Sequence, residues 1–235
     1  MTVHSHPDAD SLATAIAERF GSFVAACQRE GRTPHVALTG GTIAIAAYER
    51  VAADAADWTD MHVWFGDERF VPAGHAERND HQAREAMLDR LGVPDEHVHA
   101  MPAHGCSDSM AEEADRYGAA LPAEGFDLVL LGLGPDGHIA SLFPGFAQVG
   151  ETQRRCVEVF GSPKPPPERI SLTLPALNDT RETWFIVSGE GKADAVARTF
   201  APEGSVEETP ARGAHGREAT RWLLDAAAGA KLPTG

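Results

Sequence analysis

The chain has 235 residues, with 35 acidic against 20 basic side chains and a formal charge of −15, a field that repels nucleic acid and anionic membranes. The length suits one large α/β domain, residues 1–235, and no run of about 18 apolar residues is present to cross a membrane. "MTVHSHPDAD" lacks the basic and apolar regions of a signal peptide, and Cys27, Cys106 and Cys156 show no CxxC spacing, so free thiols in a soluble cytoplasmic protein are expected rather than disulfides or a thiolate metal site.

In chain order, His4 and His6 read as part of a frayed terminus. Leu12, Ile16, Phe20, Phe23, Val24 and Cys27 recur at three-and-four spacing, which predicts a helix from Asp8 to Glu30, stopped by Gly31. Next come a buried strand in "HVALTGG", a helix in "TIAIAAYERVAADA" and a strand in "MHVWFGD". A helix in "RNDHQAREAMLDRLG", a short strand in "HVHAMP" and a helix in "SDSMAEEADRYGAAL" lead to the apolar strand "FDLVLLGLG", after which His138 opens a further helix. "RRCVEVF", the loop "GSPKPPPE" and "RISLTLPALN" follow, then strand and helix again in "ETWFIVSG" and "GKADAVARTF". "GREATRWLLDAAAGA" reads as a closing helix. Near-continuous apolar strands alternating with helices imply a mostly parallel, Rossmann-like sheet with helices on both faces.

Ligands of such sheets bind beyond the carboxyl ends of the strands, and four strand ends here carry glycine with polar chemistry. Gly40, Gly41 and Thr42 in "LTGGTIA" can cradle a phosphate with backbone N–H groups, or can simply form a tight turn capped by Thr42. It is neither a Walker loop nor a dinucleotide fingerprint. In "WFGDERFVP", Arg69 can grip phosphate and Asp67 can bind a hydroxyl or orient a base; a solvated turn is the bland alternative. Arg169 enters a strand behind a rigid proline loop, either as a second cation or as a solvated edge residue. Lys192 sits in the first turn of a helix, unfavourable for a cation unless an anion binds there, although an ordinary surface lysine fits the pattern too. His97, His99, His104 and Cys106 invite a metal reading, but no carboxylate pattern supports it, and no metal is expected.

In "LVLLGLGPDGHIASLFPG", Pro135-Asp136-Gly137 is good turn chemistry, and His138 is delivered where a buried strand ends. Imidazole is the side chain best matched to proton transfer near pH 7, and no Gly-x-Ser-x-Gly elbow competes with it.

Taken together, "LTGGTIA", "WFGDERFVP", "DLVLLGLGPDGHIASLFPG", "PPPERISLTLPALN" and "VSGEGKADA" resemble the motifs of the 6-phosphogluconolactonase family, in the family's order from Leu38 to about Lys192. The long histidine-bearing signature is the specific one; the glycine loop departs from the family's Ser-Gly-Gly-Ser/Thr-plus-Pro by carrying Thr39 and then Ile43-Ala44. Arg69 stands where the related glucosamine-6-phosphate deaminases carry tyrosine. The resemblance implies a fold related to those deaminases and to ribose-5-phosphate isomerases. It also implies an enzyme without metal or cofactor that hydrolyses a phosphorylated sugar lactone; a monomer or weak homo-oligomer is expected.

On this reading His138 is the general base, Asp136 and Asp67 position it or the sugar hydroxyls, and backbone near Gly134 and Gly137 stabilises the developing oxyanion. Arg69, Arg169, Lys192 and the Gly40-Gly41-Thr42 turn hold the phosphate.

Overall fold

The computed structural model describes residues 1–105 and 109–232, so Cys106 lies outside the described residues. The chain opens with β1 (Thr2–His6), α1 (Ala9–Arg29), β2 (His35–Leu38), α2 (Thr42–Tyr48), β3 (His62–Phe65) and the short β4 (Asp67–Arg69). One continuous helical stretch follows: α3 (Asn79–Ala83), a π-helical turn at Arg84–Leu88 and α4 (Asp89–Leu91). Then come α5 (Met110–Ala120), β5 (Phe126–Leu131), β6 (Cys156–Val159), β7 (Arg169–Leu172), α6 (Leu174–Asn178), β8 (Thr180–Val187), α7 (Ala193–Phe200) and β9 (Ala219–Asp225).

Six strands form a wholly parallel sheet in the order β1-β9-β8-β5-β2-β3, and β4, β7 and β6 form a separate antiparallel sheet. The crossover β2-α2-β3 steps one way across the main sheet and β8-α7-β9 steps the other way. Right-handed crossovers of opposite direction place their helices on opposite faces. This agrees with the architecture expected from the strand-helix alternation. Helix α1 is capped by Asp8, whose carboxylate accepts the Ser11 N–H at 2.8 Å, and it buries Leu12, Ile16, Phe20, Val24 and Cys27, the stripe read from the sequence. Cys27 and Cys156 are buried free thiols, and burial pushes the Cys27 thiol up to about 11 and that of Cys156 further.

Four expectations need correction. The residues read as a closing helix contain β9, a strand inserted between β1 and β8, with Trp222, Leu223 and Leu224 each at most 1% exposed. Burying such a side chain is worth about 1.5–3 kcal/mol, whereas helix propensities differ by tenths of a kcal/mol per residue, so tertiary burial overrides the alanine-rich pattern. The N-terminus is not frayed: His4 and His6 belong to β1, which pairs with β9 along its whole length. "HVHAMP" forms no strand beyond one bridge from Val98 to Val63; the His97 and His99 rings instead pack on His62 at 4.2 and 5.1 Å, while His104 lies apart against Phe70. Among the described residues no three His, Cys, Asp or Glu side chains are grouped to hold a metal ion. Finally, His138 opens no helix, because Ala140 takes a φ of 47°, in the left-handed region that an α-helix forbids.

Candidate active site

The direction of the crossovers reverses between β2 and β5, so the loops leaving their carboxyl ends diverge and open a cleft between them. The cleft has a volume of about 790 Å³. The main sheet supplies the loops after β2 and β5, and the antiparallel sheet supplies the opposite wall. Gly66 is the joint between the two sheets: its N–H donates to Leu38 O of β2 at 3.0 Å and its carbonyl accepts Leu172 N–H of β7 at 2.9 Å. The loop after β2 is fixed by Tyr48, at the end of α2, whose hydroxyl donates to Thr39 O at 2.8 Å. Gly41 has a φ of 103° and caps α2 through backbone alone, so Thr42 does not serve as the side-chain cap.

Strand alternation sorts the Asp-Glu-Arg triplet of β4. Asp67 and Arg69 line the cleft, while Glu68 points the other way and is fully buried. Glu68 accepts the backbone N–H groups of Arg69, Asn79 and Asp80 at 2.8, 2.7 and 3.0 Å, so it anchors the start of α3. Burial pushes its carboxyl up to about 7, against the pull of Arg78 and of the Asn79 and Asp80 amides.

The anchor delivers Asn79, which sequence reasoning missed. Its Nδ2 donates to Asp67 O at 2.8 Å and its Oδ1 accepts from Arg69 Nη1 at 3.0 Å, so one carboxamide orients both cleft residues. Gly40 is needed beside it, since a Cβ there would lie 2.0 Å from Asn79 Oδ1. Asp67 is further held by the Ser141 hydroxyl at 2.6 Å. The clue in the sequence was faint: an asparagine at the start of a helix reads as an ordinary terminal residue.

After β5 the chain folds back on itself. Gly134 N–H donates to His138 O at 2.8 Å and Gly137 N–H to Gly134 O at 2.9 Å. These two amides are therefore engaged inside the turn, so of the backbone near Gly134 and Gly137 they are not the groups free to meet an oxyanion. Their role is spatial: a Cβ on Gly134 would lie 2.0 Å from His138 Nδ1, and Gly137, at φ 95°, packs on Thr209 outside the cleft. Arg198 holds the bend by donating to Pro135 O at 2.9 Å.

The His138 imidazole, 13% exposed, packs on Phe143 and meets Asp136 Oδ1 through Nδ1 at 2.5 Å. Nε2 is thereby left as the ring nitrogen available to the cleft. Asp136 itself stands behind the histidine rather than lining the cleft. Partial burial pushes its carboxyl up, but the hydrogen bond and charge of His138 outweigh that and hold it at about 2.

Five cationic side chains line the cleft, Arg50, Arg69, Lys164, Arg169 and Lys192, against two carboxylates, Asp10 and Asp67. In a chain of charge −15 this is a local reversal of sign. Asp10 is paired with Arg50 at 2.5 Å. Lys192 stands at the N-cap position of α7 without a side-chain cap bond, and burial, then the Lys164 ammonium, lower its pKa against the pull of Asp136. Arg169 is mostly engaged: Nε donates to Pro166 O at 2.8 Å and Nη2 to Lys164 O and Pro165 O, both at 3.1 Å, which leaves Nη1 for the cleft. Of the residues singled out from the sequence, Gly40, Gly41, Thr42, Asp67, Arg69, Gly134, His138, Arg169 and Lys192 thus line one cleft, while Asp136 and Gly137 support it from behind. Among the described residues, no helix is long and apolar enough to cross a membrane.

The family model described as glucosamine-6-phosphate isomerases/6-phosphogluconolactonase matches residues 7–222. The chain is 44% identical to a 6-phosphogluconolactonase of Mycobacterium tuberculosis over 99% of both proteins. It is 42% identical to one of Streptomyces coelicolor over 97% of this chain and 93% of that one. The solved structure of 6-phosphogluconolactonase from Trypanosoma brucei superposes with a TM-score of 0.85 at 25% identity, covering 99% of this chain and 98% of that one.

Proposed function

Because the chain belongs to the glucosamine-6-phosphate isomerase/6-phosphogluconolactonase family, we infer that it hydrolyses 6-phospho-D-glucono-1,5-lactone to 6-phospho-D-gluconate, the lactonase step of the oxidative pentose phosphate pathway. The observation that carries the mechanism is the His138–Asp136 pair folded over Gly134 at the edge of a cation-lined cleft. With Nδ1–H donated to the Asp136 carboxylate, Nε2 holds the free lone pair and takes a proton from water as the water attacks the lactone carbonyl. Collapse of the tetrahedral intermediate breaks the ring C–O bond, and the imidazolium returns its proton to the departing ring oxygen. Asp136 keeps the tautomer and favours the imidazolium while it lasts.

The phosphate is held by the Gly40-Gly41-Thr42 turn, Arg69, Arg169 Nη1 and Lys192, and Asp67, fixed by Asn79 and Ser141, receives a sugar hydroxyl. The oxyanion develops in a cleft whose charge balance is positive, so electrostatic stabilisation comes from side-chain cations rather than from the Gly134 and Gly137 amides. An activated ester needs only a modest lowering of its barrier, and no covalent nucleophile or cofactor is invoked. The protein acts on this small phosphorylated lactone as a single cytoplasmic domain, monomeric or weakly self-associated.

The test is turnover of freshly generated 6-phosphogluconolactone, measured as product formed in excess of spontaneous hydrolysis. His138→Gln should lower kcat by about 10²–10⁴. A variant with near-native kcat would remove His138 from the role of base.

A further inference from the structure

We propose that Lys164, carried on the β6–β7 loop, is a second ammonium of the phosphate clamp and closes on the substrate dianion opposite Lys192. The proposal rests on the phosphosugar reading of this cleft and adds a residue that no sequence motif singled out.

The first support is the economy of lysine. The chain has only three, Lys164, Lys192 and Lys231, and two of them line the same cleft. Lys231 pairs with Asp194, whereas among the described residues neither Lys164 nor Lys192 lies within ion-pair distance of a carboxylate, the Asp136 charge reaching Lys192 only from farther off. Unpaired like charges facing one cleft repel unless an anion lies between them, and a compact ammonium suits a phosphate oxygen as a point charge.

The second support is the way the loop is built. Ser162 donates its hydroxyl to Lys164 O at 3.0 Å and accepts the Lys164 N–H at 3.3 Å, and its own N–H donates to Pro167 O at 3.0 Å. Arg169 grips the carbonyls of Lys164, Pro165 and Pro166 from the β7 side. The backbone at Lys164 is therefore pinned at both its N–H and its carbonyl, while the side chain is exposed at the cleft rim. A loop tied this firmly fixes where the Lys164 side chain leaves the backbone, so only its own stem has to be ordered when it closes on the ligand, which reduces the ordering cost of binding. Arg169 then acts on the ligand in two ways, through Nη1 and through the position of Lys164. Lys164 and Lys192 line the same cleft, and burial, then the Lys164 charge, lower the Lys192 pKa against the pull of Asp136.

The experiment compares wild type, Lys164→Gln and Lys164→Arg on 6-phosphogluconolactone and on unphosphorylated gluconolactone, with calorimetric titration of 6-phosphogluconate into each protein. In K164Q the preference in kcat/KM for the phosphorylated lactone should fall about tenfold, through KM, the scale of one charge-assisted contact, and K164R should retain it within about threefold. The affinity for 6-phosphogluconate should fall in parallel. An unchanged preference and an unchanged Kd in K164Q would overturn the proposal. If wild type turned over no lactone yet bound 6-phosphogluconate, the lactonase reading would fail while the Kd of K164Q still decided the clamp; wild type that bound no phosphosugar would overturn the clamp as well.

Discussion

Substituting alanine for Gly134 isolates what the turn after β5 does for the reaction. The added methyl would sit 2.0 Å from His138 Nδ1, 2.1 Å from its Cε1 and 2.4 Å from Asp136 Oδ1, where ordinary contact begins at 3.4 Å. The imidazole must therefore retreat by more than about 1 Å, and its 2.5 Å bond to Asp136 cannot survive that movement intact. A displacement of about 1 Å at a reacting group costs on the order of 100-fold in rate, while overpacking costs about 1–3 kcal/mol of stability. At this chain length each kcal/mol lowers Tm by about 2–4 °C, so the protein should stay folded at assay temperature. Gly134→Ala should thus reduce kcat about 100-fold with little change in KM, measured as product formed above the spontaneous rate. On a His138→Gln background the same change should cost nothing further in kcat, since the displaced group is already gone. A G134A enzyme with kcat within threefold of wild type would refute the reasoning.

Two other perturbations test neighbouring parts of the site. Gly40→Ala drives a Cβ to 2.0 Å from Asn79 Oδ1 and should raise KM about tenfold by displacing the carboxamide that holds Asp67 and Arg69; equal KM values would show that Asn79 has another resting place. The Asp136 carboxyl is held at about 2 in the fold against an ordinary 3.8, so its stabilising contribution is complete above pH 3.8 and is lost as the pH falls through 2. Asp136→Asn should remove that part of the acid dependence of Tm. Its side chain is 38% exposed, so screening keeps the effect at neutral pH below about 1 kcal/mol. Superimposable acid limbs for wild type and D136N would eliminate the His138 pair as their origin.

The legible part of this protein was the set of strand ends. β2, β5 and the second half of β8 are apolar, buried and followed within two residues by glycine, so both their positions and the chemistry beyond them were readable. β9 was not, because arginine, alanine and leucine around Trp222 carry a helical preference that only its neighbours β1 and β8 overrule. β1 escaped notice for the opposite reason: "TVHSH" is too polar for a core strand, and it needs to cover only one edge.

At the site, sequence spacing exposed most of the residues that line the cleft, and Asp136 beside His138, but not Glu68 and Asn79, which hold the Asp67–Arg69 strand. Glu68 and Asn79 act through backbone amides and a carboxamide across 11 residues of chain, and nothing in their local pattern records that pairing. Arg169 was read as a ligand because it is a cation beside a proline loop, whereas most of its hydrogen-bonding capacity goes to that loop's carbonyls.

The His138–Asp136 pair comes from a loop of the parallel sheet, and Asp67, Arg69, Lys164 and Arg169 of the cleft lining come from the small antiparallel sheet and its β6–β7 hairpin. The two pieces are joined by the chain itself, which runs from β3 through Gly66 into β4, by the backbone hydrogen bonds of Gly66, and by Ser141, which bonds both Asp67 and Ser171. A hairpin lengthened, shortened or differently charged would therefore change the far wall of the cleft while leaving in place the turn that carries His138 and Asp136.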